Sequence, residues 1–225
     1  MFIAEGTINV TDFLSGSLEV QEVYAREEWL QEHKQLLKEI YAKAVTIGEL
    51  EKISALKNPS EVLAIVEKPE YLLPDITTID RYVLALDDIK DPGNMGTIIR
   101  TADWFGIRDI VCSAETVDAF NPKVVQATMG SLARVRVHYT GLADWFGRKP
   151  EDLKIFGAVL DGQDIRKTIK PGKGILLIGS EAHGISRALY PFIDERIYIP
   201  AGAGAGAESL NAAVATAIMC YAFGL

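Results

Sequence analysis

Three short stretches place polar side chains where an apolar run gives way to a helix. The first is Asp91-Pro92-Gly93-Asn94-Met95-Gly96-Thr97-Ile98-Ile99-Arg100. Asn94 is placed as a helix N-cap. Arg100 lies six residues further on, in a helix otherwise built from Met, Ile, Ala, Trp and Phe. A guanidinium on such a helix either snorkels to solvent or faces a phosphate. The second stretch is Leu176-Leu177-Ile178-Gly179-Ser180-Glu181-Ala182-His183-Gly184-Ile185-Ser186. A strand runs directly into glycine, a carboxylate and a second glycine, which suits a tight ligand-facing loop; Glu181 also reads as a helix-start charge. His183 reads as a base or, more simply, as a surface residue. The third stretch alternates Ala and Gly from Ala201 to Ala207 and closes on Ser209 and Asn211, with Ser209 placed as the N-cap of a last helix.

Taken alone, Gly202-x-Gly204-x-x-Ala207 satisfies the loose dinucleotide fingerprint, and a nucleotide-dependent oxidoreductase is the activity it suggests. That fingerprint needs a following helix, a second strand and an acidic residue ~20 positions on to hold a ribose. Only eighteen residues follow Ala207, nearly all in one apolar helix, which weakens the oxidoreductase reading, and a nicotinamide-dependent thermal shift would be its test. What survives is a flexible backbone loop at a strand end, whose amides approach a ligand closely.

The elements that must hold these stretches alternate between strand and helix. Tyr82–Leu86, Asp109–Cys112, Ala133–Val137, Ile155–Leu160, Ile175–Ile178 and Arg196–Ile199 read as strands. Met95–Phe105, Pro122–Met129, Ala143–Phe146 and Leu210–Phe223 read as helices. Near-continuous apolar strands alternating with helices imply an α/β fold with a parallel sheet. Before them, residues 1–70 offer strands in MFIAEG and LEVQEVYA, a charged helix over Arg26–Val45, a helix in TIGELEKISAL and a strand in NPSEVLAIVEK. Residues 71–78, next to Pro69 and containing Pro74, read as a linker to a domain over 79–225.

Composition excludes little. Hydrophobic residues make up 48%, enough for a substantial core, yet no apolar run reaches the ~20 residues of a membrane span. Met1–Glu5 lacks the basic and apolar pattern of a secretory leader. Cys112 and Cys220 lack metal-type spacing and read as buried thiols, so no metal is expected and the setting reads as cytoplasmic. Net charge is −8, concentrated in residues 1–70, where thirteen acids face seven bases. Basic groups at Arg134-Val135-Arg136-Val137-His138 and at Arg166-Lys167, Lys170 and Lys173 read as ordinary solvated charge.

The order and spacing of the three stretches are specific together. DPGNMGTIIRTADWFGI, LLIGSEAHGIS and IPAGAGAGAESLNAAVATAI resemble, in turn, the first, second and third motifs of the SpoU/TrmH family of RNA ribose 2′-O-methyltransferases, within the SPOUT class. The likeness covers 79–225 and extends more loosely to 1–70, which looks like the small α+β substrate-binding domain of that family. The third motif departs from the pattern at Ala201, where the family carries methionine, and in a Gly-Ala run two residues longer.

The resemblance implies a parallel-sheet domain with a C-terminal trefoil knot, rare among connections. It implies S-adenosylmethionine as cofactor, contacted around Leu160, Gly179, Ile199 and Leu210, and methyl transfer to a ribose 2′-hydroxyl of RNA, ribosomal RNA before transfer RNA. Asn94, Arg100, Glu181, Ser209 and Asn211 fall on the family's functional positions. Arg100 is given the central role with an RNA phosphate; Ser209 and Asn211 orient the reacting groups, Glu181 holds its loop and Asn94 holds the arginine. A homodimer through the closing helix is implied as well, and the apolar VATAIMCYAF independently asks for a partner. The competing expectation is an RNA-binding protein that keeps this fold without turnover.

Overall fold

The computed structural model describes residues 1–225. The chain forms two compact units, Met1–Glu70 with Asp118–Arg134, and Tyr71–Val117 with Val135–Leu225.

In the first unit the elements run β1 (Phe2–Glu5), α1 (Thr7–Ser15), β2 (Val20–Ala25), α2 (Glu27–Glu32), β3 (Tyr41–Ala44), α3 (Ile47–Ile53) and β4 (Val62–Val66). The sheet order is β1-β4-β2-β3, with β4 antiparallel to both neighbours and β3 parallel to β2. Phe2, Val10, Phe13, Val23, Trp29, Leu50 and Leu63 are buried. Thr46 and Glu49 start α3 with a reciprocal capping box.

Two expectations change here. The charged helix over Arg26–Val45 is only α2, which stops at His33; the chain then turns and returns as β3. Trp29 is the one buried residue of α2, so no apolar stripe exists to carry a longer helix. The backbone of Tyr41–Ala44 instead pairs with the free edge of β2, while all four side chains stay exposed. The helix α1 had no signal in the sequence, because Thr7, Ile8, Val10 and Thr11 are poor helix formers. Burial of Asn9, Val10 and Phe13 decides it.

The second unit continues with β5 (Tyr82–Asp87), α4 (Pro92–Trp104) and β6 (Asp109–Cys112). An excursion holding α5 (Pro122–Thr128) follows, then β7 (Arg136–Tyr139), α6 (Leu142–Phe146), β8 (Ile155–Asp164), β9 (Gly174–Gly179), β10 (Glu195–Tyr198) and α7 (Ala212–Ala222). The excursion, Asp118–Arg134, packs within the first unit rather than the sheet unit to which its sequence position points. Asn9 Oδ1 accepts from the Gly130 N–H at 2.7 Å. Phe120 lies 4.7 Å from the Phe2 ring, and Arg134 Nη1 is 2.9 Å from Asp12 Oδ2. Tied down in this way, Ala133 ends a 3-10 turn instead of beginning a strand, and β7 starts at Arg136.

The sheet of the second unit is six-stranded and parallel throughout, in the order β10-β8-β9-β5-β6-β7. This is the α/β architecture that the alternating pattern implies. One face buries Val83, Ala85, Val111, Ile155, Ile175 and Leu177 against Trp145, Phe146, Ile185 and Leu189. Residues alternating with these, among them Leu84, Leu86, Leu176 and Ile178, are equally buried. There α7 packs on β9 and α4, and Phe223 sits 4.8 Å from Phe156 and 5.4 Å from Tyr82, ring to ring. No helix is long and apolar enough to cross a membrane.

Candidate active site

Parallel strands bring their carboxyl ends to one edge, and ligands of open α/β sheets bind there. In this sheet that edge carries the ends of β5, β8, β9 and β10, and each of the three motif stretches leaves from it.

The helix after β5 starts with Asp91, not Asn94. Asp91 Oδ1 accepts from the Asn94 N–H at 2.8 Å, and Pro92 takes the first helical position, where its missing N–H costs nothing. Asn94 is thereby relieved of capping, and both ends of its amide are used elsewhere. Its Nδ2 donates to Glu181 Oε1, and its Oδ1 accepts from Asn211 Nδ2 at 2.8 Å. Asn211, not Ser209, caps α7: its Oδ1 accepts from the Ala213 and Val214 N–H groups at 3.0 and 3.3 Å. One side chain from each stretch therefore joins a single hydrogen-bonded chain, Glu181–Asn94–Asn211.

Glu181 is held by backbone. Ser180 and Gly184 exchange two main-chain bonds, 3.1 and 2.8 Å, closing a loop of three residues. Gly184 turns with φ +67°, and a Cβ on Gly179 would lie 2.1 Å from the Gly184 carbonyl carbon. His183 is exposed on this loop, its N–H directed to Ser180 Oγ at 3.3 Å. Sequence reading missed Asp87, a buried carboxylate at the end of β5 that accepts from the Ser186 N–H at 2.7 Å and fixes the loop's exit. Its signal was an acid directly ending a fully apolar strand.

The bend in β8 was also unforeseen. β10 pairs Arg196 with Gly157 and then jumps to pair Ile197 with Gln163, which throws residues 158–162 out of the ladder. Gly162 permits this, since a Cβ there would stand 2.6 Å from the Arg196 carbonyl carbon. Leu160, on the bulge, is 67% exposed. Ile199 follows β10 half-buried, and Leu210 is exposed beside Asn211. Ser209 is exposed and makes no hydrogen bond.

Arg100 stands apart. On α4 it shares an exposed stripe with Gly93, Thr97 and Trp104, and it makes no ion pair or hydrogen bond within the chain. No hydrogen bond joins Asn94 to Arg100 within the chain; the amide of Asn94 bonds Glu181 and Asn211 instead. No three His, Cys, Asp or Glu side chains converge as a metal site.

At the opposite, amino edge of the sheet, a cavity of about 300 Å³ is lined by residues including Arg81, Asp109 and Arg136. Asp109 is buried and accepts from His138 Nε2 at 3.0 Å and from Arg136 Nη2 at 2.8 Å. Burial alone would raise the Asp109 pKa, but these bonds and the neighbouring charges outweigh it and hold the carboxyl below the usual range.

The chain matches the model of the SpoU rRNA Methylase family over residues 81–221. It is 34% identical over 171 residues to the 23S rRNA (guanosine(2553)-2′-O)-methyltransferase RlmP of Bacillus subtilis, an alignment covering 75% of this chain and 66% of that protein. It is 34% identical over 172 residues to the 23S rRNA (uridine(2479)-2′-O)-methyltransferase of Streptomyces viridochromogenes, covering 72% and 59% respectively. The chain thus spans less than two thirds of the length of these relatives. The structure of an AdoMet-bound rRNA methyltransferase from Sinorhizobium meliloti superposes with TM-score 0.85 at 30% identity, over 99% of this chain and 86% of that one. With three motif stretches converging on the carboxyl edge of one parallel sheet and a family model matching most of the chain, this protein belongs to the SpoU rRNA methylase family.

Proposed function

We propose that the protein is an S-adenosylmethionine-dependent RNA methyltransferase that modifies a ribose 2′-hydroxyl, with ribosomal RNA as substrate in preference to transfer RNA. The observation that carries this reading is the chain Glu181–Asn94–Asn211, which ties the three motif stretches together where a ligand would sit. The names of the Bacillus and Streptomyces relatives support the ribose hydroxyl and ribosomal RNA.

The residues present fit the cofactor. Leu160 on the β8 bulge and Leu210 beside Asn211 offer exposed apolar side chains, and Gly202 and Gly206 have open space around them for a backbone approach. Leu160, the Gly179 backbone, Ile199 and Leu210 would hold it, with the deep trefoil knot of the C-terminal segment shaping its loops. When bound, S-adenosylmethionine supplies an electrophilic methyl group.

A ribose hydroxyl is a poor nucleophile near neutral pH, so the protein's part is to position it and arrange for proton removal. On this reading Arg100 holds phosphate rather than serving as the base. Its exposed guanidinium suits a bidentate grip on an RNA phosphate, which places the attached ribose. Ser209, exposed beside the network, and Asn211 orient the hydroxyl; Glu181 and Asn94 hold Asn211 in place.

On this reading the protein acts in the cytoplasm as a homodimer, with the first unit as substrate-binding domain. Trp104 and Tyr221, 86% and 79% exposed on the mutually packed α4 and α7, support a self-association face. A two-fold dimer lets Arg100 of one subunit serve the partner's cofactor, which accounts for its separation from its own Asn94. The test is transfer of tritiated methyl from S-adenosylmethionine into RNA from cells lacking the protein. Label in one RNA size class, alkali-resistant at the modified ribose and lost in Arg100→Ala, is expected. Heterodimers of Arg100→Ala with Asn211→Ala should recover part of the activity. Absence of any calorimetric binding of S-adenosylmethionine would overturn the reading, and cofactor binding without turnover on any RNA, including ribosome precursors, would favour the binding-only protein.

A further inference from the structure

The densest cationic run in the chain lies outside the site just described. From Ile165 to Ser180 there are four basic residues and no acid, in a protein of net charge −8. Two of the four are engaged. Arg166 grips Asp164 through Nε and Nη2, the latter at 2.5 Å, and Lys173 Nζ is 2.5 Å from Asp152 Oδ2. The side chains of Lys167 and Lys170 make no hydrogen bond or ion pair and are exposed, the Lys167 charge acting on Asp164 only from a distance, and Ile169 between them is 86% exposed.

This segment is not a loose tail. Ile165 and Thr168 are buried, Gln163 Nε2 donates to the Lys167 carbonyl at 3.3 Å, and the Gly172 N–H reaches the Tyr82 hydroxyl at 3.1 Å. Anchors at 165 and 168 push 167, 169 and 170 outward. The segment starts where β8 ends, on the carboxyl edge, where its 3-10 turn, Ile165–Lys167, packs against α7, the helix capped by Asn211, and it then runs toward the amino edge, where β9 begins at Gly174 beside Tyr82. A merely solvated surface mixes charges of both signs along the chain, whereas this stretch carries one sign only, with an exposed isoleucine between two lysines.

We infer that Lys167, Ile169 and Lys170 form a contact surface for the sugar–phosphate backbone of the substrate RNA, along the connection that leads from the carboxyl edge at the end of β8 toward the amino edge at the start of β9. The lysines neutralise two phosphates and Ile169 covers a ribose or base face. The inference rests on the RNA methyltransferase reading above.

Each phosphate neutralised by a protein cation adds about 0.7–0.9 to the slope of log affinity against log salt. In Lys167→Gln/Lys170→Gln the slope for labelled, protein-free ribosomal RNA should fall by about 1.4–1.8, with binding weakened on the order of tens-fold at 0.1 M salt. Calorimetric affinity for S-adenosylmethionine and the urea midpoint should not move, since both side chains are exposed and make no hydrogen bond or ion pair. Lys167→Arg/Lys170→Arg should restore the slope, because phosphate contact asks for the charge and a structural role would not. Ile169→Ala should weaken binding several-fold with the slope unchanged. A glutamine pair with the wild-type slope, in a protein that binds cofactor and methylates RNA, overturns this surface and leaves the enzyme reading standing; an acidic protein would then be the partner to test. If the wild-type protein binds neither cofactor nor ribosomal RNA, the enzyme reading falls and this surface falls with it.

Discussion

Replacing Gly179 by alanine tests whether backbone contact alone shapes the Glu181 loop. The new Cβ would stand 2.1 Å from the Gly184 carbonyl carbon, 2.3 Å from its oxygen and 2.3 Å from the Ile185 nitrogen. Unstrained carbon contacts lie at about 3.5–4.0 Å, so the facing backbone must retreat by more than 1 Å, and no flexible side chain can absorb that. Retreat breaks the paired Ser180–Gly184 bonds of 3.1 and 2.8 Å. Two net backbone bonds contribute about 1 kcal/mol each and overpacking adds about 1–3 kcal/mol, so a destabilisation of about 3–5 kcal/mol is expected. At roughly 2–4 °C per kcal/mol for a chain of this size, the melting temperature should fall by about 6–20 °C. Because Glu181 leaves with the loop, its bond to Asn94 is lost as well, and calorimetry should find cofactor binding weakened at least tenfold in whatever fraction stays folded. Urea unfolding, amide exchange at Ser180 and Gly184, and cofactor titration read the three consequences separately. A Gly179→Ala protein with an unchanged urea midpoint and both amides still protected would refute the packing argument.

Asn211→Asp separates two jobs of one residue. An aspartate caps α7 as well as asparagine does, so stability should stay within about 0.5 kcal/mol, but the donor to Asn94 is gone and methyl transfer should fall by about tenfold; equal loss in stability and activity would count against the division. Asp109→Asn should cost about 1.5–3 kcal/mol near neutral pH, as the charged bonds to His138 and Arg136 weaken. The wild-type carboxyl is held below its ordinary value of about 3.9, so its stabilisation is present above that pH and is lost as pH falls through the depressed pKa. Urea midpoints followed from pH about 7 to about 3 should therefore show a flatter acid limb in the variant, and parallel curves would contradict the assignment. Burial raises the Cys112 thiol and pushes Cys220 up to about 12, so Ellman's reagent should label neither in the native protein and both in urea. Fast native labelling of either would place it nearer the surface than the structure does.

Where local pattern and tertiary demand agree, the sequence was legible. The buried runs Tyr82–Leu86 and Ile175–Ile178 could only be central strands, and α4 and α7 carry enough apolar surface to be helices in any fold of this class. Where packing outvoted local preference, it was not. The β-branched α1, the exposed edge strand β3 and the attachment of Asp118–Arg134 to the first unit all depend on partners remote in the chain, which no short window reports.

The site divides along the same line. Residue type and order alone singled out the three stretches, because a strand running into Gly-x-Glu, a capping asparagine and a glycine-rich turn is a chemical statement readable in one dimension. Which side chain does what was settled only in three dimensions. Asp91 and Asn211 take the caps, freeing Asn94 to bridge 87 residues to Glu181 and 117 to Asn211, while Arg100 points from another face of the same helix. Asp87 and Gly162 acquire their importance from a loop exit and a register jump made by strands distant in sequence. A sequence fixes composition and local propensity, but hydrogen-bond partners are shared out by whichever groups the fold brings within about 3 Å, and that allocation exists only once the chain has closed on itself.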